Sequence, residues 1–345
     1  MNKRQLIGLF TALTVVVSIA PSAFGQTRLL INRYVPPTHV VSTDIIGAWA
    51  KDVERVTEGR VKIEFPPATL APPDGQWELV TQGLADGAFI QTAFAAKRLP
   101  LTQVADLPFM AWSAEATAVA LWRTHEKFFQ KNDEHKGVVL LGYFSAPGGY
   151  LYSLTDKPIQ SVEDLKSMKM WSLPNLPARM IGQLGAAVLP GPAPRIHEMV
   201  SKGVVDGHAA LGYHTVHAFN AAPYTKSATE IPGRMNASSF SFFLNRNKWN
   251  TISAADREAI LGVSGETLAR RSAAWDVVER DSRQKFVDAG KKIVPASAEF
   301  IAALEKAWAF TANEWVESAK KSGVDGEAAL AHFREQAKAV GDGKR

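Results

Sequence analysis

Apolar and polar positions alternate with two different periodicities in the first third of the chain. Segments 28–35, 60–65 and 86–94 are short and rich in β-branched and aromatic residues, which is typical of strands. Apolar residues recur every three or four positions over 41–57 and 76–83, which indicates helices between those strands. Strands that alternate with helices predict a parallel sheet covered by helices.

A second block of the same kind follows. The apolar run 137–144 has the near-continuous character of a buried strand, and Gly148 and Gly149 after it allow the chain to cross into another sheet. Beyond this crossing the pattern predicts strands at 150–154, 168–172 and around Val188, helices at 161–166 (with Ser161 and Asp164 as a capping box) and 178–184, and a return crossing at 235–240. The fold class is therefore α/β. Two lobes are expected, because a mature chain of about 320 residues exceeds what one hydrophobic core usually accommodates.

One helical pattern is much longer than the others. It runs over 254–289 without a proline, and Ser253 stands before it as an N-cap. A helix of this length would extend roughly 50 Å, further than one lobe of this size is wide, so we predict a brace helix that spans both lobes. Gly262 and Gly265 are its weakest point, because each glycine costs about 1 kcal/mol in a helix, and a kink or a split is expected there.

The first residues have the composition of an export signal. Lys3 and Arg4 precede an apolar run over 6–20, which is shorter than the roughly 20 residues of a membrane-spanning helix, and a proline and small residues follow. We predict cleavage near Gly25 or Gln26 and a periplasmic location for the mature protein.

The patterns together predict the organisation of the whole chain. Its parts, in order, are a signal peptide over 1–25, lobe I over 26–146 and 237–252, lobe II over 147–236, the long helix over 253–290, two C-terminal helices within 291–340 and a disordered tail over 341–345. The two crossings between the lobes, near Ala146 and Asn236, are expected to serve as hinges.

Composition and charge exclude several classes of function. The chain has no cysteine, which rules out thiol catalysis, thiolate metal sites and a lipid-modified N-terminal cysteine. Its formal charge of +5 falls by two, to +3, without Lys3 and Arg4. The basic residues are scattered among nearly as many acidic ones, so nucleic-acid binding has little support.

The motifs that suggest catalysis or metal binding are incomplete. The segment HEMVS begins like the helix of a zinc protease but has Ser201 where the second histidine is needed. A second group of metal-binding residue types lacks the helical spacing that would face them to one ion: Asp206, His208, His214 and His217. We therefore expect no catalytic residue, no metal and no cofactor. Two alternatives stay open: a binding protein that serves another uptake system or a sensory receptor, and an exported enzyme that uses His39, Asp206 or His214 as an acid or base.

Aromatic residues stand at or near the predicted strand ends of both lobes. Ligand sites in open α/β sheets lie outside the carboxyl ends of strands, where aromatic side chains can line a mostly apolar cleft. Core packing explains each aromatic residue taken alone, but their equivalent places in two lobes favour a pocket between the lobes: Phe94, Tyr150, Trp171, Tyr213 and Phe240.

The order of segments resembles the substrate-binding subunit of TRAP (tripartite ATP-independent periplasmic) transporters of the DctP type. The resemblance covers about 29–312 and is carried by PPTHVVS, VERVTEGRVKIEFPP, LVTQGLADGAF, DLPFMAWSAEA, KPIQSVEDLKSMKM, LGAAVLPGPAPRIHEMVSKGVVDG and SFSFFLNRNKWNTIS. It implies a two-lobed periplasmic receptor, monomeric or dimeric, that closes on an organic acid and delivers it to integral membrane subunits without covalent chemistry. The PPTH and LAPPDGQ segments look like a branch whose ligands include aromatic acids.

One departure from the family bears on the ligand. The strand after SVEDLKSMKM normally supplies an arginine that pairs with the ligand carboxylate, and Trp171 stands there instead; Tyr150 and its neighbours replace a second arginine. Three explanations stay open. Arg179 or Arg195 could replace the missing cation, the ligand could be held by stacking and uncharged hydrogen bonds, or it could be neutral or cationic. The candidate binding residues are Thr38, His39, Gln91, Phe94, Tyr150, Trp171, Arg179, Arg195, Tyr213, His214 and Phe240.

Overall fold

The computed structural model describes residues 26–110, 112–132 and 134–343. The predicted signal peptide over 1–25 and the last two residues of the predicted tail lie outside this part of the chain. Among the described residues, no helix is both long enough and apolar enough to cross a bilayer.

Strands and helices alternate along most of the chain. The strands are β1 (Thr27–Asn32), β2 (Val61–Glu64), β3 (Gly87–Gln91), β4 (Val138–Ala146), β5 (Tyr150–Ser153), β6 (Lys169–Ser172), β7 (Ala187–Pro190), β8 (Gly207–Leu211), β9 (Ser227–Glu230), β10 (Ser238–Asn245) and β11 (Lys292–Pro295). The α-helices are α1 (Ile46–Val56), α2 (Gln76–Thr81), α3 (Ala114–Thr124), α4 (Val162–Lys166), α5 (Leu176–Gln183), α6 (Ile196–Ser201), α7 (Tyr213–Ala218), α8 (Arg246–Asn250), α9 (Ala254–Gly262), α10 (Glu266–Arg270), α11 (Ala273–Asp288), α12 (Ala298–Trp308), α13 (Phe310–Lys321) and α14 (Gly326–Gly341). Turns of π-helix cover Val41–Ile45 and His125–Phe129, and short 3-10 turns cover Pro73–Gly75, Thr92–Ala95, Thr102–Asp106, Gln130–Asn132, Ala193–Arg195 and Ala222–Tyr224.

The described residues form two sheets, one in each lobe, which confirms the α/β prediction. The lobe I sheet has the strand order β2-β1-β3-β10-β4, and the lobe II sheet has the order β11-β9-β5-β8-β6-β7. In lobe I, β1 runs parallel to β2 and β3, whereas β10 is antiparallel to both its neighbours. In lobe II, β5 is antiparallel to β8 and β9. The capping box predicted for α4 is present, with both reciprocal bonds between Ser161 and Asp164.

Two chain crossings connect the sheets and lie side by side. The first leads from β4 to β5 and the second from β9 to β10; the Gly149 N–H donates to the Asn236 carbonyl at 3.0 Å, and the Met235 N–H donates to the Gly149 carbonyl at 3.1 Å. A Cβ at Gly148 would lie 2.0 Å from the Asn236 oxygen, and one at Gly149 would lie 2.2 Å from the Ala210 backbone. The crossings can approach this closely because both positions are glycine.

The brace is not one continuous helix over 254–289; it is split at the glycines where a kink or a split was expected, and it breaks a second time before Ala273. The chain forms α9, α10 and α11, with breaks at Gly265 and before α11. Gly265 has φ +58°, and its N–H donates to the Leu141 carbonyl of β4 at 2.6 Å, so a bond to the sheet replaces a helical one. The bridging role belongs to α11: Trp275 near its start packs in a lobe I core, and Phe286 near its end packs in the lobe II core.

The C-terminal region also differs from the prediction. In place of two helices it contains β11, which pairs with β9 at the edge of the lobe II sheet, and three helices, α12, α13 and α14. Phe300, Leu304 and Trp308 of α12 pack in lobe II, whereas Phe333 of α14 packs in lobe I. The last helix continues to Gly341, the first residue of the predicted tail. The sequence KIVP was missed because four residues with one lysine carry little strand signal.

Candidate functional site

A cavity lies between the two lobes and is lined by residues of both lobes, of the first crossing and of the brace. The space in the cleft, with the solvent at its mouth included, is about 550 Å³, of which about 40 Å³ lies open to the centre of a water-sized sphere, so the lobes stand close together. The residues of β3 and β8 that line it stand toward the carboxyl ends of those strands, where ligand sites of open α/β sheets are found.

Lobe I supplies an aromatic surface to this cavity. The registers Phe240↔Gln91 and Phe240↔Phe144 place Phe240 in the middle of the sheet, and its ring stacks on that of Phe144 with centroids 4.8 Å apart. The Trp275 ring stacks against Phe240 at 5.9 Å, and the Tyr34 ring lies 4.8 Å from that of Phe89. Packed rings of this kind form a rigid apolar surface for a flat ligand.

A few polar groups are placed on this aromatic surface. Gln91 Nε2 donates to Ser238 Oγ at 3.2 Å, which leaves the Ser238 O–H free to donate elsewhere. The Tyr34 O–H and the Trp275 indole N–H are both buried and donate to no partner in the described part of the protein, although the Gln91 backbone N–H lies beside the Tyr34 oxygen as a donor. Burial raises the pKa of Tyr34, so its hydroxyl keeps its proton.

His39 is the titratable side chain of the cavity wall. The Val41 N–H donates to His39 Nδ1 at 3.2 Å, so Nδ1 is an acceptor and the proton of the neutral ring is on Nε2. Burial, and to a smaller extent the neighbouring His214, lowers the pKa of His39 to about 3. His39 is therefore uncharged at pH 7, with an N–H that can donate.

A cluster of rings joins the lobes beside the cavity. His39 of lobe I lies 4.9 Å from His214 of α7 and 6.1 Å from Phe219, both in lobe II, and 5.2 Å from Trp275 of the brace. Burial lowers the pKa of His214 to about 4, with smaller contributions from His217 and Lys285. The lobes thus meet through uncharged rings at neutral pH.

The brace also holds the N-terminus of a helix in each lobe. Asp276 accepts hydrogen bonds from the Ala114 and Glu115 N–H groups of α3 at 2.8 and 3.1 Å. Glu279 accepts from the Tyr213 and His214 N–H groups of α7 at 2.8 and 2.9 Å. Carboxylates at these positions compensate the unpaired N–H groups and the positive end of the helix dipole.

Arg234 connects the brace to the crossings. Its guanidinium donates to the Gly148 carbonyl at 2.8 Å and pairs with Glu279 at 3.3 Å. The guanidinium also lies over the Tyr150 ring at 4.8 Å. Its Nη1 thus makes both polar contacts at the hinge, and this arginine does not line the cavity.

The structure brings four of the predicted binding residues to the cavity: His39, Gln91, Phe94 and Phe240. Three others lie behind its wall, in the hinge network or the ring cluster: Tyr150, Tyr213 and His214. Tyr213 is held there because its hydroxyl donates to Glu230 at 3.0 Å.

The remaining four predicted residues lie elsewhere. Trp171 is 1% exposed in the lobe II core, packed beside Gly191, because both faces of β6 are covered. Arg179 is on the outer surface, where it pairs with Glu314 at 2.8 Å. Arg195 and Thr38 are exposed and do not line the cavity, although Ala193 and Pro194 beside Arg195 do.

Several lining residues were not anticipated from the sequence. Tyr34 and Leu173 follow the ends of β1 and β6, so the strand-end rule that found Phe94 could have found them. Trp275 comes from the brace, and no local sequence pattern predicts that it lines the cavity. The other unanticipated residues include Phe89, Leu211, Thr215, Phe219 and Ser238.

Comparison with known proteins identifies the family. Residues 31–319 match the family model described as DctP, bacterial extracellular solute-binding protein, family 7. The chain is 34% identical over 341 residues, 98% of this chain and 99% of the relative, to a Comamonas testosteroni protein named outer membrane transporter protein TsaT.

Solved structures agree with this match. A TRAP periplasmic solute-binding protein of Bordetella bronchiseptica with bound (R)- and (S)-mandelate is 30% identical, with a TM-score of 0.87 over 91% of this chain and 99% of that one. A marine metagenome TRAP protein specific for aromatic acids, in complex with metahydroxyphenylacetate, is 25% identical, with a TM-score of 0.82 over 91% and 99%. The chain therefore belongs to bacterial extracellular solute-binding protein family 7, the DctP family of TRAP-type solute-binding proteins.

Proposed function

We propose that this protein is the periplasmic receptor of a TRAP transporter and captures a small organic acid with an aromatic body in the cavity between its lobes. The signal peptide is cut near Gly25 or Gln26, and the loaded receptor delivers its ligand to TRAP-type membrane subunits. The observation that carries the proposal is the inter-lobe cavity itself, whose walls are aromatic and apolar and whose few polar groups include unpaired donors.

The character of the cavity suits capture and release. A flat ring gains area by packing on Phe240 and Trp275, and unpaired donors gain partners when a carboxylate binds. Closing the lobes removes water, which strengthens each polar contact inside. The crossings at Gly149 and Asn236 supply the hinge.

The relatives support the choice of ligand class. Mandelate and metahydroxyphenylacetate, the ligands of the two structures described above, are both aromatic rings that carry a carboxylate. The aromatic surface around Phe240 fits such rings.

Binding without chemistry is supported by where the acid–base candidates lie. Asp206 accepts from the Lys169 N–H at 2.8 Å and stands before Gly207, the first residue of β8, whereas Leu211 at the other end of that strand lines the cavity. Asp206 is therefore separated from His39 by the length of β8 and cannot orient it as a catalytic base.

The test is a melting-temperature screen of the mature protein after unfolding and refolding to remove bound ligand. The panel holds benzoate, mandelate, phenylacetate, aliphatic mono- and dicarboxylates, sugars and amino acids. A ligand at about 100 times its dissociation constant stabilises the fold by roughly 2.7 kcal/mol, a readily measured shift. We expect aromatic acids to give the largest shifts; a screen in which no carboxylate raises the melting temperature, or one in which a bound acid is converted to product, contradicts the proposal.

A neutral or cationic ligand is the second candidate function. The specific observation in its favour is that no Arg, Lys, Asp or Glu is found among the described residues that line the cavity. Benzamide, benzyl alcohol and quaternary amines in the same screen separate the two candidates, because a shift with these compounds alone would assign the receptor to uncharged or cationic solutes.

A further inference from the structure

The polar side chains of the cavity are concentrated on one side. Lobe I supplies Tyr34, His39, Gln91 and Ser238, and the brace supplies Trp275. The lobe II wall is apolar apart from Thr215: Leu173, Ala193, Pro194, Ala210, Leu211 and Phe219. A ligand with one polar end therefore meets two unlike walls.

The indole of Trp275 differs from those of Trp49, Trp308 and Trp315 in its free N–H. Trp49 donates to Ser264 at 3.0 Å, Trp308 to the Met180 carbonyl at 2.9 Å, and Trp315 to the Leu101 carbonyl at 3.1 Å. Trp275 is 3% exposed and lines the cavity, yet its N–H has no partner within the described chain. A buried unpaired donor is costly, which indicates that a ligand atom completes it.

Further donors stand on the same side. The buried Tyr34 O–H also donates to no partner in the described chain, the His39 Nε2–H is set by the bond to Nδ1, and the Ser238 O–H is freed by Gln91. None of these side chains carries a charge at neutral pH.

We propose that Tyr34 and Trp275 determine specificity by donating their O–H and N–H to the ligand carboxylate on the lobe I side, while the ligand's ring packs on Phe240 and extends from there to the apolar wall of lobe II. This inference rests on the proposed function and refines it. The ligand class is an aromatic monocarboxylate without a second charge.

Uncharged donors can hold one carboxylate but not two. Hydrogen bonds to an ionised acceptor are roughly twice as strong as neutral ones, so a few converging donors offset the loss of hydration. A second carboxylate at the far end of the ring would meet the lobe II wall, which offers it no cation and only the Thr215 hydroxyl as a side-chain donor. Burying that charge unpaired is prohibitive, so aromatic dicarboxylates are excluded.

The donors are tested with Tyr34→Phe and Trp275→Phe, which remove the O–H and the N–H and keep an aromatic ring. Trp315→Phe is the matched control, since it removes an indole N–H that is paired in lobe I outside the cavity. By calorimetry on refolded protein, each cavity variant should bind benzoate about 10- to 100-fold more weakly. The control should bind as wild type, and circular dichroism and melting curves establish that all three are folded.

The orientation is tested with para-substituted benzoates, which need no mutation. If the carboxylate faces lobe I, p-toluate should bind more tightly than the near-isosteric p-hydroxybenzoate, and terephthalate should not bind. In the opposite orientation the para group would meet Tyr34 and Ser238, and p-hydroxybenzoate would be preferred.

The outcomes separate the inference from the proposed function. If aromatic carboxylates bind but both phenylalanine variants bind benzoate as tightly as wild type, or p-hydroxybenzoate binds more tightly than p-toluate, the inference is wrong and the receptor function stands. If no aromatic carboxylate binds the wild-type protein, the proposed function fails and the inference fails with it.

Discussion

His39 shows how one buried ring couples the cavity to pH. Its pKa is about 3 in the folded protein, because it is buried beside His214, Phe219 and Trp275, against roughly 6.5 for an unfolded histidine. Between these values the unfolded chain binds a proton at this position and the folded chain does not. The free energy of unfolding therefore falls as the pH falls from 6.5 toward 3.

The prediction is tested with His39→Asn, which removes the titration. From pH 6 to pH 4 the unfolding free energy of the variant should decline less steeply than that of wild type, by at most about 1.4 kcal/mol per pH unit. Urea unfolding at several pH values gives the slopes.

His197→Asn, at an exposed position of α6, is the control and should keep the wild-type slope. Equal slopes in His39→Asn and wild type would mean that this ring is solvated. Asp106 and Glu134, whose raised pKa values of about 7 act in the opposite direction, remain in all three proteins and cancel from the comparison.

Asn175 makes a single hydrogen bond that joins the lobes. It precedes α5 in lobe II with φ +64°, and its Nδ2 donates to the Ala93 carbonyl of lobe I at 2.5 Å. Asn175→Gly keeps the backbone conformation and removes the donor. We expect a faster dissociation of ligand, by about 3- to 10-fold, because a net hydrogen bond of the closed state is lost. Stopped-flow displacement measures this rate, and an unchanged rate would show that the bond does not hold the lobes together.

At the scale of elements, α11 is the part that ties the molecule together. Two of its carboxylates lie one helical turn apart, and each engages the start of a helix in a different lobe: Asp276 that of α3 and Glu279 that of α7. Gly212 permits the second contact, since a Cβ there would lie 2.7 Å from Glu279 Oε1. The brace therefore orients the lobes through polar contacts as well as through Trp275 and Phe286.

Removal of Glu279, the carboxylate that pairs with Arg234, should lower the free energy of unfolding considerably. Glu279→Ala leaves Arg234 buried without its counter-charge and two N–H groups of α7 unpaired, so we expect a loss of about 3–5 kcal/mol in unfolding free energy. Glu279→Gln keeps an acceptor and should lose less. Glu258→Ala, at an exposed position of α9, should be close to neutral in the same denaturant titration. A loss below about 1 kcal/mol for Glu279→Ala would mean that water reaches Arg234.

At the scale of the whole molecule, the structure has the lobes in contact, through His39 with His214 and Asn175 with Ala93. Among the described residues, few polar contacts cross the cleft apart from those of the brace and the crossings, so the closed state has modest stability by itself. A ligand that touches both walls should stabilise it further. We expect the radius of gyration of ligand-free protein to fall when a hit from the screen is added. Small-angle X-ray scattering with and without ligand measures the change, with a non-binding sugar as the control. A radius that stays constant on binding would mean that the lobes are already closed without ligand.

Much of this architecture could be read from the chain alone. Local spacing predicts the α/β order and the N-cap Ser161. Backbone freedom predicts the glycines of the first crossing. Both are properties of neighbouring residues. The aromatic residues at strand ends likewise indicated a cleft, because strand direction determines which end of a sheet is open. This reasoning predicted Phe94 and Phe240, whereas His39 and Gln91 were predicted as hydrogen-bonding groups; all four line the cavity.

The tertiary structure decided which side chains face the cavity. On β6 the residues Met170 to Ser172 are all buried, so the period-two pattern does not tell the cleft face from the core face, and Trp171 packs in the core. Trp275 lies in the cavity because Gly265 bonds to β4 and redirects the brace, an interaction between residues more than a hundred positions apart. Local pattern specified the elements and their order. Long-range contacts specified the break in the brace and the positions of the uncharged donors in the cavity, since both depend on neighbours that are distant in the sequence.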